Sequence, residues 1–184
     1  MDGTCSRDRV GWAGRAARTV MRTPSLYSVT VEYDAAAPER GTMVCGFQQE
    51  RRTWLGRALL DVCQVRVLDD PDSAAVSSYG TFGRQQYRQL AAIKESPFPP
   101  RPLDLSGLAI EPDEARSRMR DHARHESPDA TVEPRCPGLV LTIHQGIVAW
   151  QGTVDFDGVG IHTVILDGAS GAVLFHKFDR HHRA

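Results

Sequence analysis

Several chemical signatures are missing from this 184-residue chain: it has no CxxC pair, no HExxH, no GxGxxG and no Walker lysine motif. Their absence removes the usual marks of structural zinc, zinc-peptidase chemistry, dinucleotide binding and a phosphate-cradling loop. Cysteine is sparse and scattered, at Cys5, Cys45, Cys63 and Cys136. That is too thin for a disulfide scaffold, so the thiols read as free and mostly buried, with a Cys45–Cys63 bridge as the alternative. No apolar run approaches the roughly 18 residues of a membrane span. No secretory h-region follows the N-terminal arginines, so the expected compartment is the cytoplasm. Net charge is only -1, which gives no global case for nucleic acid or for an anionic surface.

What remains is an ordinary globular composition, 41% hydrophobic and 24% charged, long enough for one domain or two small ones. Charge is distributed unevenly: residues 1–24 carry five Arg against two Asp, whereas 111–184 carry eleven acidic groups against eight basic ones.

The strongest pattern lies in Gly138 to Phe178. Val148, Trp150, Val154 and Phe156 alternate with Gln151, Thr153 and Asp155, interrupted only by Gly152, which predicts a half-buried strand. Asp157-Gly158 predicts a turn, Ile161–Leu166 a second strand, Asp167–Gly171 another turn and Ala172–Phe178 a closing strand. Upstream, Glu111-Pro112-Asp113-Glu114-Ala115 predicts a helix start, with proline in the first turn and carboxylates at the positive end of the dipole. Ala115, Met119, His122 and Ala123 form its thin apolar stripe, and Ser127-Pro128-Asp129 ends it.

Residues 1–24 read as a disordered basic extension: Val10, Ala13, Ala17 and Met21 share a helical side, but Gly11 and Gly14 weaken it. Ser25–Phe47 predicts a hairpin, Gln48–Thr53 is polar, and Phe82–Lys94 predicts a helix. Trp54–Leu68 fits either a helix, through Leu55, Leu59 and Cys63, or a strand, and its β-branched end favours a strand from about Ala58. The prolines of Ser96–Pro102 predict an extended connector. The resulting plan is an extension (1–24), an α+β half (25–96), a connector (97–104), a helix with an antiparallel sheet (105–178) and a tail (179–184). The expected fold class is α+β, an antiparallel β-meander packed on one or two helices.

Three stretches resemble the PepSY domain, a small module of metallopeptidase propeptides and bacterial envelope proteins. They are Ile110–Ala115, Trp150–Val154 and the hairpin Thr163–Leu174. In the hairpin, Leu166-Asp167 and Ser170-Gly171 stand where the family has Val-Asp and Thr-Gly, with Gly168 as an extra turn residue. The resemblance spans about Leu105 to Phe178 and implies a cystatin-like fold with an inhibitory or binding role and no catalytic residues.

Candidate site residues are Trp150 and Phe156 as aromatic anchors, with Trp150 alternatively sharing a core with Met119 of the helix, and His144 with Asp155 as a polar pair on neighbouring strands, where an imidazole near a carboxylate suits acid–base work or a cross-strand contact. Seven histidines, among them His122 with His125 and His176 with His181 and His182, lack a carboxylate or cysteine frame, so no metal is assigned and no cofactor is expected. Arg116, Arg118, Arg120 and Arg124 are diluted by acidic neighbours and read as a solvated helix face. The sequence therefore points to a non-enzymatic protein-binding or inhibitory module whose partner is another protein. The alternatives are a small enzyme or ligand binder with a pocket between sheet and helix, and a structural subunit of a larger assembly.

Overall fold

A computed structural model describes residues 6–35, 41–68, 70–86, 89 and 101–180. In chain order the elements are α1 (Ser6–Ala17), β1 (Ser25–Tyr33), β2 (Gly41–Arg52), β3 (Ala58–Val67), a 3-10 turn (Pro71–Ser73), β4 (Ala75–Gly83), α2 (Pro112–Glu126), β5 (Gly138–His144), β6 (Ile147–Phe156), β7 (Gly160–Asp167) and β8 (Val173–Arg180). The strand order is β4-β3-β2-β1-β5-β6-β7-β8. The α+β, cystatin-like expectation is thereby corrected. Among the described residues, α1 and α2 hold 12 and 15 residues against eight strands, so the protein is mainly β.

Two segments without a strand signal in the sequence account for the difference. Gln48–Arg52 is polar but remains extended, because each of its residues has a partner on β3, from Gln48 opposite Val62 to Arg52 opposite Ala58. The stretch Ala75–Gly83 carries no apolar alternation and still forms β4; lying at the end of the order, it needs only β3 as a neighbour. Phe82 and Gly83 end that strand, and most of the helix expected over Phe82–Lys94 lies outside the described residues.

The chain divides into two units, Met1–Val29 with Thr42–Leu103, and Thr30–Gly41 with Asp104–Ala184. In the first, α1 corrects the expectation of a disordered extension. Ala13 and Ala17 are buried, as is Met21 just beyond the helix, and Cys63 Sγ lies 3.8 Å from Met21 Sδ. The apolar stripe was real, and α1 is sustained by packing against β3 despite its glycines. Cys45, Cys63 and Cys136 are buried free thiols, and burial pushes the Cys45 thiol up to about 12. The buried Asp61 accepts hydrogen bonds from Arg51 Nε and Thr81 Oγ1, each at 2.6 Å. Burial works to raise its pKa, but these bonds outweigh it and hold the carboxyl below the usual range.

In the second unit the sheet registers define two faces. Leu141, Trp150 and Leu166 form one cross-strand row, and Val154 pairs with His162, which pairs with Phe178; these rows lie on the side covered by α2. Val140, Gln151, Ile165 and Phe175 form a row on the opposite, open side. Gln145 and Gly146, both at positive φ, make the two-residue connection from β5 to β6. Gly152, the gap in the apolar alternation, lies under the helix: a Cβ there would stand 2.7 Å from both Met119 Sδ and Leu139 Cδ2. Trp150 is 0% exposed, and its Nε1 donates to the Ile110 carbonyl at 2.8 Å.

Replacing Trp150 by alanine is therefore expected to lower stability by about 3–5 kcal/mol, as truncation of a large buried aromatic does. Denaturant unfolding of the variant measures it. A loss under about 0.5 kcal/mol, the range of surface substitutions, would mean that this face of β6 is not the core.

Candidate binding surface and a buried histidine cluster

The four residues singled out from sequence separate into two pairs. Trp150 and Phe156 are fully buried on the helix side, so neither is available as a surface anchor. The space between α2 and the sheet, expected to hold a pocket, is occupied by Trp150, Phe156 and Met119. His144 and Asp155 do lie on the open side, but the register keeps them apart. His144 pairs with Ile147, and Asp155 stands eight residues further along β6. At about 3.3 Å per residue that is roughly 26 Å, which rules out an imidazole–carboxylate couple. Asp155 is held instead by backbone bonds with Arg135, 2.8 and 2.9 Å long.

His144 has a different neighbour, the Phe175 ring, with centroids 6.4 Å apart. Around them Val140, Ile147 and Phe175 are all exposed, although strand alternation brings them to one face. Lys177 follows two residues after Phe175 on the same face and pairs with Asp179 at 2.8 Å, so the apolar surface has a charged margin.

Histidines do gather, but around a residue the sequence did not single out. His162, 1% exposed, lies on β7 in a run read only as apolar on both faces. Its Nδ1 is 2.8 Å from His176 Nε2, and its Nε2 is 3.0 Å from Ser127 Oγ. The His162 and His176 rings stack at 5.1 Å, Phe178 and Phe156 close around His162, and the His122 ring meets His176 edge-on at 4.8 Å. The hints in the sequence were His122 in the apolar stripe of the helix and His176 among the C-terminal histidines; their meeting at His162 is set by strand register and helix packing, which the sequence does not reveal.

Ser127, His162 and His176 follow the order nucleophile, base, orienting group. His162, the imidazole that would serve as base, is 1% exposed, so a substrate has no direct approach to it. Among the described residues no group of three or more His, Cys, Asp or Glu is placed to hold a metal, and His181 and His182 lie outside those residues.

Burial, and then the neighbouring imidazoles, lowers the pKa of both His162 and His122, while Glu126 pulls weakly the other way. These rings are neutral in the fold and titrate near pH 6.5 once unfolded. Below that value the unfolded chain binds more protons, so stability is full above about pH 6.5 and is lost as pH falls further. Denaturant midpoints should therefore drop between about pH 7.5 and 5.5, and His162→Gln should flatten that drop. Parallel slopes in the two proteins would show that the cluster does not titrate as argued.

No family model matches the sequence, and no curated protein matches it. Among solved structures, a candidate lipoprotein from Clostridium difficile 630 is similar in fold, with a TM-score of 0.57 at 12% identity, over 96% of this chain and 94% of that one. At that identity the similarity shows a shared fold alone.

Proposed function

We propose that this protein is a non-enzymatic protein-binding module and that its partner covers the open face of β5 to β8. The observation that carries the reading is that Val140, Ile147 and Phe175 stand on one face of the sheet and are all exposed. Apolar side chains carried by a hydrogen-bonded sheet lose less backbone entropy on contact than those on a loop, and the charged margin at Lys177 and Asp179 suits the polar rim of an interface. The resemblance of Ile110–Ala115, Trp150–Val154 and Thr163–Leu174 to PepSY modules, which bind or inhibit other proteins, supports the same class of role.

The test is affinity capture from the native host with wild-type protein and with the double variant Val140→Asp/Phe175→Asp. The wild type should retain a specific protein that the variant loses, with unfolding midpoints within about 0.5 kcal/mol of each other, as for surface positions. Equal capture by both proteins would remove the open face from the interaction.

A further inference from the structure

Among the described residues the most exposed aromatic side chain lies elsewhere, at the connection between β2 and β3. Thr53 N–H donates to the Arg57 carbonyl, Gly56 N–H donates to the Thr53 carbonyl, both at 2.9 Å, and Arg57 N–H donates to Thr53 Oγ1 at 3.1 Å. Gly56 takes φ +75°, which closes the turn. The result is a hydrogen-bonded tip rather than a slack loop. At its apex Trp54 is 92% exposed and Leu55 is 60% exposed. A large apolar pair held outward by a closed turn has no role in the core of its own chain.

The surroundings of the tip are cationic. Arg51, Arg52 and Arg57 flank it and are exposed. The register sets Arg52 opposite Ala58, and Leu59 opposite Gly83, which brings the exposed Arg84 to the same end of the sheet. Behind the apex a cleft of about 370 Å³ is lined by Arg51, Arg52 and Arg84, with Glu50 as its one acid and Leu59 and Leu60 in its wall. Arg51 spends its Nε on Asp61. The charge of the remaining guanidinium groups exceeds that of Glu50, so this end of the first unit is locally positive on a chain whose net charge is -1.

We propose that the hairpin tip docks on an anionic phospholipid surface, Trp54 and Leu55 entering the headgroup boundary and the arginine-lined cleft taking lipid phosphates. Indole rings favour that boundary because one edge is apolar and the N–H stays wet. Guanidinium forks match phosphate oxygens, and exposed charges act over only about one Debye length, so a local cluster serves where net charge does not. A protein partner fits less well: two apolar residues at an apex fall far short of the roughly 800 Å² per side of a stable protein interface. This inference uses the first unit only and is independent of the partner assigned to the open sheet face.

Co-sedimentation of the full chain with vesicles tests it, using phosphatidylcholine alone and phosphatidylcholine with about a third phosphatidylglycerol. The wild type should sediment with the anionic vesicles, weakly with the neutral ones, and less as salt rises towards about 0.5 M, where screening is within a few Å. Trp54→Ser/Leu55→Ser should weaken binding at least about tenfold, and Arg52→Gln or Arg57→Gln about fivefold each. Melting curves should not move, since neither apex residue is packed. Three results would overturn the proposal: no sedimentation of wild type with anionic vesicles, undiminished binding by the Trp54/Leu55 variant, or equal binding to neutral vesicles. Capture of a protein through Trp54 without vesicle binding would likewise assign the tip to a protein instead.

Discussion

The burial of Trp150 sets the parity of the second unit. A buried indole needs an acceptor for its N–H, and the Ile110 carbonyl supplies it at 2.8 Å. The segment carrying that carbonyl is itself fixed, because the N–H groups of Ala109 and Ile110 both donate to Gly168 O at 2.9 Å. With Trp150 locked inward, the even residues of β6 face α2 and the odd ones face away. Antiparallel register passes that choice to β5, β7 and β8. The open face with Val140 and Phe175 is thus a consequence of where one side chain finds its hydrogen bond.

Much of this was legible in the sequence where a physical requirement is local. The start of α2 at Pro112, the alternation through Val148–Phe156 and the turn at Asp167 follow from dihedral preference, burial and Asx hydrogen bonding; Asp167 Oδ1 accepts from the N–H groups of Ala169 and Ser170 at 2.7 and 2.9 Å. Gly152 marked the alternation as broken, yet it makes room for the helix, a fact that requires knowing that Met119 lies above it. What could not be read was pairing. β4 is a strand because β3 lies beside it, not because Ser77–Gly83 is apolar. His144 and Asp155 looked adjacent because their strands are, but register sets them far apart. His162 joins His176 and Ser127 only through contacts between distant segments.

The two units settle a buried polar group in opposite ways. Asp61 stays ionised because a guanidinium and a hydroxyl reach it. Among the described residues no carboxylate hydrogen-bonds His162, which is tied to a hydroxyl and to a second imidazole, and burial holds its pKa down. The first arrangement is insensitive to pH near neutrality, whereas the second places an acid-labile element under the sheet whose opposite face is assigned to the partner. Surface function is divided in the same way, with a flat apolar face in one unit and a cationic aromatic tip in the other.

Both surfaces depend on which aromatic side chains water can reach. Covalent labelling of tryptophan in the native protein, read by mass spectrometry at each position, measures this directly. Trp54 at the tip should label rapidly, and Trp150 should remain unlabelled until the chain unfolds, consistent with exposures of 92% and 0%. Labelling of native Trp150 at a rate comparable to Trp54 would contradict the account, because the parity of β6, the open face and the isolated apex all follow from the difference between them.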